Sequence, residues 1–289
     1  MDVNILYKVT NQYHPVVETM TVDIIQSLIL GIVQGITEWL PISSSGHLAL
    51  TQLIFNIRVP VFFDLILHIG TLAGLVGFYR TDLSKIFRSI IFPRSMEIGE
   101  LKEYRNLLML IIIGTIPTAI IAFALKSLFE FSFYDIFLLS IGFFISGVFI
   151  FITNFFKKGS RSINKFDAVL IGIAQGFSVF SSISRSGITI SLGMIRQIDH
   201  IQLVRFSFLL SIPSIIGGSV FDFLLMDDVQ VSTIGNIPIA SYIMGFLSSA
   251  IVGYITIKLL IDIVNKGKLH YFAYYCLALA LILLIYSFL

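Results

Sequence analysis

The 289-residue chain is 56% hydrophobic and only 12% charged, with a mean hydropathy of +0.94 and a formal net charge of +2. Apolar surface on that scale exceeds what a water-soluble fold of this length can bury, so a soluble domain is excluded, and the small net charge gives no support to nucleic-acid binding. The chain reads as a single integral membrane domain of all-α class, and its lone cysteine, Cys276, rules out an intrachain disulfide.

Taken in chain order, residues 1–22 are polar and mixed, lack the basic stretch and apolar core of a cleaved leader, and read as an interfacial tail. Residues 23–40 are apolar but interrupted by glycine and polar side chains, and a serine-rich loop separates them from a second short apolar run at 47–57. Spans of the roughly 20 residues needed to cross the hydrocarbon core are expected at about 60–79, 104–126 and 131–156. The pattern then recurs. A short segment at 166–181, a serine loop and a short run at 187–195 precede spans at about 201–224, 236–263 and 271–289. Pieces too short to span suit re-entrant half-helices whose polar tips are buried in protein.

The recurrence is literal. Gly31 to Gly46 reads GIVQGITEWLPISSSG and Gly172 to Gly187 reads GIAQGFSVFSSISRSG, with Gln34/Gln175, Gly35/Gly176, Ser43/Ser184, Ser45/Ser186 and Gly46/Gly187 identical at a constant offset of 141 residues. Broken apolar segments at corresponding places in two halves point to a site formed where discontinuous helices meet. The halves are taken as 23–156 and 157–289. A re-entrant hairpin plus three spans makes an odd number of crossings, so the second half runs inverted to the first. Six transmembrane helices with two re-entrant hairpins follow. Basic residues agree with this topology: Lys8, Arg58 and Lys126 fall on one side, against Arg80, Lys85, Arg88, Arg94, Lys102, Arg105, Lys157, Lys158, Arg161, Lys165, Arg196, Lys266 and Lys268 on the other. Positive charge concentrates on the cytoplasmic side, so both termini are expected outside.

Arg185 lies in the second serine loop, inside apolar sequence, where a central arginine costs about 2.5–3.5 kcal/mol on insertion scales. Two readings account for it: a buried partner such as Glu38 holding the hairpins together, or an anionic ligand gripped by the guanidinium as a diphosphate would be. They are compatible. The loop serines and Gly46 and Gly187 could serve tight helix packing, or could open two half-helix N-termini onto an anion. Glu38 and His47 flank the first loop and, with Ser43 or Ser44, supply the residue types for displacement at phosphorus. Asp64 and His68 share a face of the first span and are read first as structural, bonding each other or Arg205.

Gln34 to His47, which contains Glu38 and Pro41-Ile-Ser-Ser-Ser-Gly-His47, resembles the Glu/Gln-x-x-x-Glu and Pro-x-Ser-Ser-x-Gly-His signature of the undecaprenyl-diphosphatase (bacitracin-resistance) family. Ser184-Arg185-Ser186-Gly187-Ile188-Thr189 is similar to its second signature, and Arg205 to Pro213 to the segment that follows. The resemblance runs from about residue 23 to near the end. It implies an inverted repeat with two re-entrant hairpins, in the cell membrane, and an enzyme that converts a polyprenyl diphosphate lipid to its monophosphate and so recycles a carrier for cell-envelope glycan synthesis. It implies catalytic roles for Glu38, Ser44, His47 and Arg185. Substrate contacts are expected from Gln34, Ser43, Ser45, Gly46, Ser184, Ser186, Gly187 and Thr189. A divalent cation, Mg2+ or Ca2+, is implied by the family alone, with Glu38 as its ligand; Gln34 stands where many members have a second Glu. Ser181-Ser182 stands where the family has Pro-Gly. The alternative function is a transporter or flippase of a lipid-linked phosphate, because inverted repeats with broken helices also build transporters. Oligomeric state, a homodimer included, is left open.

Overall fold

A computed structural model describes residues 22–130, 133, 135–156, 158–180, 182–226, 231 and 234–289, the side chains of 126–130 excepted. Residues 1–21 of the expected interfacial tail, Ser181 and the loop around Asp227 and Asp228 therefore lie outside the described residues, while Val22 is buried. Among those described, eleven α-helices carry the fold: α1 (Ile24–Trp39), α2 (Ser44–Phe55), α3 (Val61–Phe78), α4 (Arg80–Ile91), α5 (Ile98–Glu130), α6 (Ile136–Ile152), α7 (Lys165–Phe177), α8 (Arg185–Ile195), α9 (His200–Leu224), α10 (Ile239–Asn265) and α11 (Tyr271–Tyr286). Only two isolated bridges, Gly159 with Asp199 and Arg161 with Ile198, interrupt the helical pattern there. The protein is a multi-pass membrane protein.

Local chemistry starts these helices. Asp23 and Gln26 form a reciprocal capping box on α1, as Asn164 and Asp167 do on α7. Ser43 and Ser184, equivalent in the repeat, each cap the following helix by accepting from the backbone N–H of Gly46 at 3.3 Å and of Gly187 at 3.1 Å. The second arms thus begin at Ser44 and Arg185, three and two residues before the runs read from hydropathy, because a serine cap is polar and a hydropathy window misses it.

Among the described residues, five helices are long and apolar enough to cross a membrane: α3, α5, α6, α9 and α10. The sixth span expected at 271–289 is instead the 16-residue α11, about 24 Å long by helical rise and short of the hydrocarbon thickness. It starts at Tyr271, where the expected span begins, and ends at Tyr286. The expected span at 104–126 is the middle of the 33-residue α5, which continues through Pro117. Between α3 and α5 lies α4, a helix the apolar count did not reveal, with Ile86 and Ser89 buried and Phe87, Ile90 and Ile91 exposed.

The halves are interlocked by exchange. Helix α10, from the second half, packs along α1 and α3, whereas α5, from the first half, packs along α7; α6 and α11 pack on each other. Small residues permit these close crossings. A Cβ on Gly31 would lie 1.9 Å from Ser248 Oγ of α10, and one on its repeat equivalent Gly172 would lie 2.1 Å from the Gly114 carbonyl of α5. Each short helix is therefore clamped by the other half's long one. That arrangement carries both serine loops into the middle of the protein.

Candidate active site

Glu38 sits in the last turn of α1 with its side chain 2% exposed. Four groups converge on it or flank it, one from α1 itself and three from other helices. Ser44 Oγ donates to Oε2 at 2.5 Å, Gln34 Nε2 donates to the same oxygen at 3.0 Å, the Arg185 guanidinium donates to Oε1, and His68 Nε2 lies 3.8 Å from Oε2. Gln34 reaches it because residues four apart share a helix face. Ser44 reaches it across the first serine loop, and Arg185 from the first turn of α8 in the other half. A carboxylate this buried is tolerable only because a guanidinium and two further donors satisfy it.

Burial separates the loop residues into two groups. Ser43, Gly46, Ser184, Ser186, Gly187 and Thr189 are buried, while Ser44, Ser45, His47 and Arg185 are half-buried. The buried set is occupied within the protein. Ser186 Oγ donates to the Leu40 carbonyl at 3.0 Å and ties the second loop to the first; Thr189 Oγ1 bonds Ser207 Oγ of α9 at 2.6 Å. Ser45 Oγ meets Ser43 Oγ at 3.3 Å and accepts from the Ser182 N–H at 3.4 Å, a second link between loops. A Cβ on Gly46 would lie 2.6 Å from the Phe143 ring, so only glycine lets the first loop close against α6.

His47 faces away from Glu38. Its Nδ1 lies 2.7 Å from the Ser43 carbonyl and its Nε2 lies 2.6 Å from the Tyr275 hydroxyl, with the two rings stacked at 5.7 Å. A carbonyl can only accept, so Nδ1 carries a proton and the neutral ring's Nε2 accepts from the Tyr275 O–H. The imidazole beside Glu38 is His68, anchored by Nδ1 on the Asp64 carbonyl at 2.8 Å. Arg205, which the reading of Asp64 offered as a partner, instead pairs with Asp82 at 2.5 Å and Glu103 at 2.9 Å. It is drawn there because α4 brings an acid to it.

Ser182, at the family's glycine position, adopts φ +65°, a left-handed conformation costly for a residue with a Cβ. Its hydroxyl donates to the Leu139 carbonyl at 2.7 Å, and Ser146 Oγ donates to its carbonyl at 3.4 Å and accepts from the Ser184 N–H at 2.8 Å. These bonds hold the loop without glycine. Trp39 and Tyr275 were not singled out from the sequence. The Arg185 guanidinium lies 5.8 Å from the Trp39 ring centre, and Tyr275 is 228 positions from the histidine it touches. A tryptophan next to the glutamate was the only available signal for the first; the second had none.

Among the described residues no group of three or more His, Cys, Asp and Glu side chains gathers as a metal cluster. Gln34, whose Nε2 bonds Glu38, has its Oε1 buried with no hydrogen-bond partner, so one further oxygen donor is free next to Glu38.

A many-pass membrane fold with an acid, a guanidinium and a hydroxyl brought together from two repeats defines a class, and comparison with known proteins names it. Residues 27–282 match the family model described as bacitracin resistance protein BacA, and the chain belongs to that family. It is similar to an undecaprenyl-diphosphatase of Carboxydothermus hydrogenoformans, 38% identical over 264 residues that cover 90% of this chain and 96% of that protein. It is also 36% identical to an undecaprenyl-diphosphatase of Korarchaeum cryptofilum, covering 91% and 98%, and 35% identical to one of Methanosphaera stadtmanae, covering 92% and 98%.

Proposed function

We propose that this chain hydrolyses an undecaprenyl-type polyprenyl diphosphate to its monophosphate and phosphate, with Ser44 as nucleophile. The observation that carries the reading is that Glu38 takes the Ser44 hydroxyl on one oxygen and the Arg185 guanidinium on the other. One side chain thereby joins the attacking group to the group that grips the anion. Ser44 is also half-buried, whereas Ser43 serves as a helix cap.

The incoming diphosphate competes with Glu38 for Arg185. As the guanidinium turns to the phosphate oxygens, Glu38 loses its counter-charge and becomes a stronger base for the Ser44 proton. Ser44 Oγ bonds to the terminal phosphorus, the bond from that phosphorus to the bridging oxygen breaks, and the lipid monophosphate leaves on that oxygen. Water then releases phosphate from the serine. Arg185 and the positive N-terminal end of the α2 dipole stabilise charge on the transferred oxygens, a role that preorganised donors fill well away from bulk water. His47, on its Tyr275 contact, lies in the first turn of α2; its Nε2, an acceptor in the resting state, takes up a proton from solvent and passes it on near the leaving group. Glu38 and Gln34 Oε1 are the oxygen donors that fit a divalent cation; when bound, it would supply neutralising charge for the diphosphate.

The same reading takes the two helix–loop–helix units as re-entrant, α11 as completing a sixth crossing, the halves 23–156 and 157–289 as inverted, and both termini as outside the cell membrane. The reciprocal packing of α10 on α1 and α5 on α7 supports it. Purified protein in detergent should release phosphate from a polyprenyl diphosphate, and Ser44→Ala should lose about 10³-fold or more while Ser45→Ala retains most of the rate. Absence of phosphate release by the folded protein would leave transport, which needs two sides, as the function.

A further inference from the structure

A second feature lies at the far end of α8, about 14 Å along its axis from Arg185. There the C-terminal ends of α6 and α10 meet the N-terminal ends of α9 and α11 around a cavity of about 390 Å³. Its polar lining comes from Asn154, Lys158, His200, Asn265, Lys266 and His270. Lys158 and Lys266 are exposed, and among the described residues neither is in an ion pair. Asp199, next to His200 in sequence, is engaged in capping α9 through the N–H groups of Ile201 and Gln202.

His200, which is 3% exposed, lines this cavity with its ring against the Val264 backbone. His200 and Asn265 also line an adjoining cavity of about 160 Å³, walled by Phe78, Val204 and Ile261 and almost wholly apolar. Basic and apolar spaces thus share a wall.

Exposed aromatic residues Phe155, Phe166, Tyr271 and Tyr274 ring the same end, as side chains do at the depth of lipid headgroups. This is also the basic side of the charge count. We infer that the cavity is a binding site for the phosphate group of an anionic membrane lipid, with Lys158, Lys266 and His270 holding the headgroup and an acyl chain entering the apolar cavity. Basic pockets between helices on the cytoplasmic side are suited to such headgroups. The site is separate from the serine loops and does not depend on the reaction assigned to them.

The test is lipid binding to the full chain in neutral detergent, read by native mass spectrometry and thermal shift, with phosphatidylglycerol, phosphatidylcholine and inorganic phosphate as probes. Phosphatidylglycerol should bind and raise the unfolding temperature, whereas phosphatidylcholine should not. Lys158→Gln/Lys266→Gln should weaken phosphatidylglycerol about 30-fold, the effect of two interfacial lysines, and leave phosphate release from a polyprenyl diphosphate unchanged. Lys268→Gln, an exposed lysine outside the cavity, should not weaken it. Equal weakening by Lys268→Gln, unchanged binding by the double variant, or a matching shift with inorganic phosphate alone would each overturn the lipid assignment.

Discussion

Removing the charge of Glu38 separates its structural from its chemical role. Glu38→Gln keeps the shape but leaves Arg185, whose side chain is 18% exposed, without its anion; Arg185→Gln leaves a carboxylate that is 2% exposed without its cation. Breaking a buried pair from either side costs about 3–5 kcal/mol, and the partial exposure of Arg185 places Glu38→Gln near the lower end. Two facing amides can bond each other, so the double variant Glu38→Gln/Arg185→Gln should lose at least about 2 kcal/mol less than the two single losses combined. Activity behaves differently. Each single change removes either the base or the anion grip, about 10³-fold in kcat/KM, and the double should regain stability without regaining turnover. Thermal unfolding in detergent alongside phosphate release from a polyprenyl diphosphate reads both quantities on the same samples. Strictly additive stability losses would mean the two side chains do not interact, and wild-type turnover in either single variant would refute the mechanism.

Other outcomes follow from single contacts. Ser182→Gly relieves a left-handed backbone at about 1 kcal/mol but gives up the bond to the Leu139 carbonyl, worth about the same, so it should unfold within about 0.5 kcal/mol of wild type. Ser182→Ala keeps the strain and loses the bond; if it proves as stable as Ser182→Gly, the account of this loop is wrong. Gly172→Ala drives a methyl against the Gly114 carbonyl and should destabilise by about 1–3 kcal/mol, whereas Gly217→Ala, with open space around it, should be tolerated in the same unfolding assay. Tyr275→Phe removes the hydroxyl on His47 Nε2 and leaves the stacked rings; kcat should fall while KM stays within about twofold, and an unchanged kcat would remove His47 from the proton path.

Much of this molecule is readable in one dimension. The repeat at offset 141 identified both serine loops, and charge cost alone singled out Arg185 and named Glu38 as the partner it in fact pairs with. Hydropathy located the long crossings because lipid demands helices with apolar faces whatever they pack against. It failed where polarity stops being informative: α4 is amphipathic rather than apolar, and the caps at Ser43 and Ser184 are polar residues just ahead of their helices.

Composition, spacing and the doubled motif by themselves determined the solvent, the broken helices and the two serine loops, since each of these depends on local polarity and on the chain's own periodicity. Only the tertiary structure decided that His47 turns to Tyr275 while His68 stands beside Glu38, that Arg205 goes to Asp82 and Glu103, and that each short helix is held by the long helix of the opposite half. Such choices are made by side-chain direction and by contacts hundreds of positions apart, and no pattern along the chain encodes which of two nearby imidazoles will face a carboxylate.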